Sequence, residues 1–172
     1  MNLKDKIRII EDFPKQGISF KDITPVFQDA NDLKELIDCF KDQVKDLEID
    51  LVVGPEARGF LIGAPLAYAL GAGFVPIRKP GKLPSDTLRY EYALEYGTDT
   101  LEIHKDAIKK GQKVLIVDDL LATGGTISSV AKLVEELGGE VVSMNFIIEL
   151  TGLNGIAKLD KYKVSSLLKY EF

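Results

Sequence analysis

Val114 to Thr126, VLIVDDLLATGGT, carries the strongest chemical signal in the chain: an apolar run, two consecutive carboxylates, a Thr-Gly-Gly turn and the start of a helical pattern. A turn of this composition can cradle a phosphate. Gly124 and Gly125 let the backbone N–H groups converge, Thr123 and Thr126 add hydroxyl donors, and a helix starting there adds its positive end. Asp118 and Asp119 would repel a phosphate placed on them, so they suit neighbouring hydroxyls, such as a ribose diol, or a bound cation. The plain alternative is a strand-to-helix turn with capping acids. Two common nucleotide motifs are absent: no GxxxxGK is followed by Ser or Thr, and ATGGT does not satisfy GxGxxG.

The elements that must position this turn follow from hydrophobic period. Lys113 to Asp118 is the clearest buried strand, and Ile127, Val130, Ala131, Leu133, Val134 and Leu137 stripe a helix over Thr126 to Leu137, closed by Gly138 and Gly139. Upstream, the spacing predicts an amphipathic helix from Asp32 to Leu47, with Asp32 and Glu35 as a capping box. A β-branched strand at Asp50 to Gly54 comes next, then a Pro-Glu-Ala-Arg-Gly turn and a helix over Phe60 to Leu70. Gly73 to Arg78 reads as a strand in which Pro76 argues for an edge or a bulge rather than a central position, and Val141 to Ile148 as another strand. Leu153 to Leu159 looks helical and Val164 to Leu168 like a last strand. Strands alternating with helices imply an α/β fold: a mainly parallel twisted sheet flanked by helices on both faces, with ligands beyond the carboxyl ends of its strands. The polar stretch 79–98 lacks a clear period and reads as a lid, in which YEYALEY could form a hairpin or merely an exposed arm.

Composition bounds the partners. The 172 residues include 22 Lys plus Arg against 27 Asp plus Glu, a net charge of −5, with 45% hydrophobic residues, which fits one globular domain over 1–172. An acidic chain lacks the overall cationic field that captures nucleic acid or anionic lipid. Charges interrupt every apolar run short of a membrane span, and the start lacks a signal-peptide core, so neither a membrane nor a targeting segment is expected. Cys39, the one cysteine, reads as a semi-buried structural thiol, and the cytoplasm is the simplest address. His104, the one histidine, is expected on a surface turn without a role; no cluster around it has metal-ligand spacing.

The Val114 to Thr126 segment resembles the phosphoribosyl-diphosphate (PRPP) motif of the type I phosphoribosyltransferases. GISFKDITPVF (Gly17 to Phe27), GPEARGF (Gly54 to Phe60), RKPGKLP (Arg78 to Pro84) and LEYGTDTLEIHKDAI (Leu94 to Ile108) resemble, in order and spacing, the bacterial adenine phosphoribosyltransferases of that family. The resemblance implies transfer of a phosphoribosyl group from PRPP to adenine, giving AMP and diphosphate, by a homodimer, with Mg2+ carried on PRPP and no dedicated metal site. It places the 5'-phosphate on Ala122, Thr123, Gly124, Gly125 and Thr126, and the ribose on Asp118 and Asp119. It places diphosphate on the loop Glu56, Ala57 and Arg58, where a non-proline cis bond is expected at Glu56-Ala57. Arg58, Arg78, Lys79 and Lys82 form a basic group in an acidic chain, suited to diphosphate as its charge grows; by resemblance one of the Arg78 to Lys82 stretch reaches a partner's site. The N-terminal segment, about residues 1–30, would read the base: Phe20 stacking on it, backbone at Ser19 and Lys21 on its edge, and Leu120 over its other face. Phe20 could equally be core packing. Glu95, by resemblance, exchanges a proton with the base. A PRPP-sensing regulator, or an enzyme for another purine, would share most of these features.

Overall fold

A computed structural model describes residues 2–93 and 98–171. Its centre is a five-stranded sheet, all parallel, in which β3 (Leu51–Pro55), β4 (Gly73–Ile77), β7 (Lys113–Leu121), β8 (Glu140–Leu150) and β9 (Val164–Tyr170) lie in the order β4-β3-β7-β8-β9. Strand alternation builds two cores from one ladder. On β7, Val114 and Ile116 face α4 (Gly125–Glu136), while Leu115 and Val117 face α2 (Ala30–Val44) and α3 (Arg58–Leu70). Both sets are fully buried, which is why the strand reads as a continuous apolar run. Pro76 is tolerated because β4 is an edge strand, as expected from the sequence.

Helix and strand boundaries differ from the expectations in physical detail. The cap of α2 is Asp29, not Asp32: its carboxylate accepts the N–H groups of Asn31 and Asp32 at 2.9 and 3.0 Å, and Asp32 instead pairs with Lys6 at 2.9 Å. The helix expected at Leu153 to Leu159 is two 3-10 turns, Thr151–Leu153 and Gly155–Leu159, broken at Asn154 with φ of 50°. Lys113 to Asp118 extends three residues further as strand, so both acids lie on β7 itself.

The stretch expected as a lid is half of a hairpin. β5 (Thr87–Ala93) pairs antiparallel with β6 (Thr98–His104), whose LEIH half lies beyond the range 79–98. Leu101 and Ile103 on β6 are buried in the α4-side core, so the hairpin is anchored rather than a free arm. His104 ends β6 opposite Thr87 and is half-buried, not on a surface turn. At the amino end, β1 (Arg8–Ile10) pairs antiparallel with β2 (Phe20–Asp22), followed by α1 (Thr24–Gln28). Among the described residues, no helix is long and apolar enough to cross a membrane.

Candidate active site

The carboxyl ends of β3 and β7 meet beside the start of α4, and two adjoining cavities lie there. The smaller, about 100 Å³, is enclosed by Asp118 and the turn from Leu120 to Ile127. Gly124 caps α4 in the left-handed region, φ 77°, and its missing side chain matters twice: a Cβ there would stand 2.4 Å from the Gly155 carbonyl oxygen. The first-turn N–H groups of α4 have no partner within the helix, so this pocket offers an anion several donors together with the Thr123 and Thr126 hydroxyls.

The larger cavity, about 230 Å³, is lined by Pro55 to Arg58, Lys79, Tyr92, Asp99, Leu101, both β7 acids and Thr126. Asp118 lines both cavities. Its Oδ1 accepts the Asp119 N–H at 2.9 Å, and Asp119 Oδ2 meets Arg58 Nε at 2.9 Å. Burial, and then the neighbouring Asp119 charge, push the Asp118 carboxyl well above its ordinary value. Burial also raises Asp119, against the pull of Arg58. Carboxylate oxygens can accept hydrogen bonds from hydroxyls, whereas the glycine turn offers donors.

The peptide Glu56-Ala57 is cis, as the resemblance implied, and it opens α3 at Arg58. Gly59 follows with no room for a side chain, since a Cβ would stand 3.2 Å from Asp118 Oδ1 and 2.9 Å from Pro55 Cδ. This close approach brings the loop against β7. The Glu56 side chain turns toward the cations: it accepts the Lys79 N–H and pairs with Arg78 at 3.1 Å. Burial works against its charge, but those contacts outweigh it and hold the carboxyl below its ordinary value.

Phe20 belongs to neither core. Its ring packs edge-on to Phe13, 5.2 Å between centroids, with the Arg58 guanidinium 5.3 Å over it, so β2 delivers an aromatic face to the rim of the larger cavity. Ser19 and Lys21 line a separate cavity of about 250 Å³ with Gly17, Leu150 and Glu171. Leu120 lines the smaller cavity. Lys82 is exposed and outside both cavities. Glu95 lies outside the described residues.

Residues 21–169 match the phosphoribosyl transferase domain family. The adenine phosphoribosyltransferase of Alkaliphilus metalliredigens is 68% identical over 170 residues, covering 99% of this chain and 100% of that one. The chain belongs to the adenine phosphoribosyltransferase family. The crystal structure of the family member from Thermoanaerobacter pseudethanolicus superposes with a TM-score of 0.95 at 62% identity, covering 98% of each chain. That of the Saccharomyces cerevisiae adenine phosphoribosyltransferase, complexed with D-2,5-dideoxy-2,5-imino-altritol 1,6-bisphosphate and adenine, superposes at 0.92 with 44% identity over 96% of each.

Set within this family fold, the cavity contains residues that the sequence reading did not single out. Tyr92 and Asp99 come from facing strands of the hairpin, and the Tyr92 hydroxyl donates to Asp99 Oδ2 at 3.1 Å and meets Thr126 Oγ1 at 3.3 Å. Lys79 pairs with the same Asp99 oxygen. Only the alternation of YEYALEY pointed toward Tyr92, and nothing local marks Asp99. Gly155, which backs the turn at Ala122 and Gly124 from a distant part of the chain, left no local signal.

Proposed function

We propose that this chain transfers the 5-phosphoribosyl group of PRPP to N9 of adenine, releasing diphosphate and forming AMP. The observation that carries this reading is the convergence on one cavity pair of an anion-binding turn, an acid pair and a cationic loop, in a chain of the adenine phosphoribosyltransferase family. In the reaction the C1'–O bond to diphosphate breaks as N9 attacks C1', and the base loses a proton. The turn Ala122 to Thr126 holds the 5'-phosphate and fixes the ribose relative to β7. Asp118 and Asp119 accept the ribose hydroxyls, and Asp119 holds Arg58 beside the leaving group. Arg58, Arg78 and Lys79, with Lys82 from the exposed turn and the Glu56-Ala57 backbone, neutralise the charge that grows on diphosphate. Phe20 and Leu120 sandwich adenine while the backbone at Ser19 and Lys21, within the base-reading segment 1–30, meets its edge.

Mg2+ enters as part of the substrate, on the diphosphate oxygens, where a hard cation is at home. The β7 acids line the cavity that would receive it and suit its water shell. Glu95, between β5 and β6 in sequence, takes the proton from the base nitrogen opposite the attacking one. We further propose a cytoplasmic homodimer. Leu61 and Tyr68, 45% and 91% exposed and seven residues apart on α3, present an apolar face to a second copy, with the Arg78 to Lys82 stretch reaching its site. Sedimentation velocity of Tyr68→Glu against the unaltered chain tests the dimer.

Incubation with PRPP, Mg2+ and adenine, guanine, hypoxanthine or xanthine in turn tests the activity. Nucleotide should form with adenine; no product with any base would leave a PRPP-binding regulator in its place. Glu95→Gln preserves size but cannot accept a proton, so the single-turnover rate with both substrates saturating should fall about 10²-fold or more, with far smaller changes in binding. A full single-turnover rate would reduce catalysis to positioning and charge neutralisation.

A further inference from the structure

Arg58 and Lys79 line the larger cavity and Arg78 precedes Lys79 in the chain, and each is paired with a carboxylate: Arg58 with Asp119, Arg78 with Glu56, Lys79 with Asp99. Two of these carboxylates have other duties, since Asp119 faces the ribose and Glu56 positions the loop that holds Arg78 and Lys79. Asp99 has none. It stands on β6, where one oxygen takes both the Lys79 ammonium and the Tyr92 hydroxyl proton. Tyr92 has a single proton to give, so its 3.3 Å contact with Thr126 must be donated by the Thr126 hydroxyl. The hairpin thus reaches across the cavity from the diphosphate side to the phosphate turn and engages a donor on each.

A diphosphate entering here meets a lysine whose charge is already matched, and the competing carboxylate stands beside it as a like charge. Burial disfavours charge on Asp99, yet Lys79, the Thr100 N–H and Tyr92 outweigh it and keep this carboxyl below its ordinary value. It is therefore anionic at neutral pH. The 5'-phosphate likewise meets a Thr126 hydroxyl already spent on Tyr92.

We propose that Asp99 and Tyr92 are internal competitors for PRPP, occupying the ammonium and the hydroxyl that its diphosphate and 5'-phosphate require, and thereby setting the affinity of the site for both anions. This rests on the assignment of Lys79 to diphosphate and of Thr126 to the 5'-phosphate. It makes ligand entry and surrender of the Asp99–Lys79 and Tyr92–Thr126 contacts one event, and departure of diphosphate is assisted by Asp99 reclaiming Lys79.

Calorimetric titration of inorganic diphosphate with Mg2+, and separately of ribose 5-phosphate, into the unaltered chain and into Asp99→Asn, Tyr92→Phe and Lys79→Ala tests this. Asp99→Asn should tighten diphosphate by about fivefold, the scale of a partly exposed ion pair. Tyr92→Phe should tighten ribose 5-phosphate by about two- to threefold, the low end for a freed hydroxyl donor. If Lys79→Ala weakens diphosphate while Asp99→Asn weakens it or leaves it unchanged, Asp99 orients Lys79 and the competitor role is overturned. If Lys79→Ala has no effect, the assignment of Lys79 to diphosphate fails, and this inference falls with it.

Discussion

Gly124 and Gly155 occupy the space that each other's side chain would need. A Cβ on Gly155 would stand 2.1 Å from the Ala122 carbonyl oxygen and 2.9 Å from the Gly124 nitrogen, so the Ala122 to Thr126 turn is shaped by backbone that lies far from it in the chain. Gly155→Ala should therefore push the turn out of place and weaken PRPP binding by about tenfold or more, as small displacements in a pre-formed site do, while the sheet still folds. An unchanged dissociation constant by calorimetry, in a variant with normal circular dichroism, would show that the turn holds its shape without Gly155. The contrast explains which site residues were legible in the sequence. Asp118, Asp119 and the turn after them are neighbours in the chain and declare their chemistry together. Tyr92, Asp99 and Gly155 act only through folding that brings distant segments together, and an isolated Tyr, Asp or Gly in a polar stretch carries no such mark. The Glu56 carboxylate shows the same limit, since nothing local reveals that it would turn back to hold Arg78 and Lys79.

The β5–β6 hairpin shows how an element can be anchored by one buried charge. Glu102 on β6 is 1% exposed; its Oε1 lies 2.5 Å from Arg89 Nε on the facing strand, and its Oε2 accepts the Gly81 N–H at 3.1 Å. Its backbone also exchanges two hydrogen bonds with Arg78, at 2.8 and 3.0 Å, tying the hairpin to the cationic stretch. Arg89, though 65% exposed, is thus more than a solvated charge. Arg89→Ala should cost about 1–2 kcal/mol because it strands a buried carboxylate, and adding Glu102→Gln should recover most of that loss by removing the charge. Urea unfolding of the two singles and the double measures the coupling; additive losses would mean the pair contributes nothing. Elements with their own period were legible: β3, β4, β7, α3, α4 and β8 fall within a few residues of where their apolar patterns place them. The second strand of the hairpin was not, because LEIH is too short to declare a partner. The 3-10 turns near Asn154 were read as helix because so short an apolar run does not separate a 3.0 from a 3.6 period; the chain breaks at Asn154, whose backbone is left-handed.

Across the whole molecule, the site is placed where the fold can least easily accommodate charge. Asp118 and Asp119 lie toward the carboxyl end of the central strand of the sheet, between two apolar cores, in a chain already carrying a net charge of −5. Burial and the Asp119 charge hold the Asp118 carboxyl above the ordinary aspartate value, so between that value and its folded-state value the folded chain binds more protons than the unfolded one. Stability attributable to this group consequently falls as pH rises through that window, the opposite of Asp99 and Glu56, whose lowered values favour folding at neutral pH and are lost on acidification. Asp118→Asn removes the penalty while its side-chain oxygen can still accept the Asp119 N–H. The variant should melt about 2–4 °C higher than the unaltered chain at pH 7, the shift expected for roughly 1 kcal/mol in a domain of this size. The gap should narrow as pH is lowered toward about 4, where the unaltered Asp118 is itself protonated. PRPP turnover should fall in the same variant if Asp118 holds the ribose as proposed, because the amide keeps one acceptor oxygen, spent on the Asp119 N–H, and turns a donor NH2 toward the hydroxyls. Thermal melts across pH, paired with activity at pH 7, decide the matter: a variant that melts lower at pH 7, or a gap that widens on acidification, would mean that Asp118 is held as a stabilising charge and that the fold bears no cost for its acid pair.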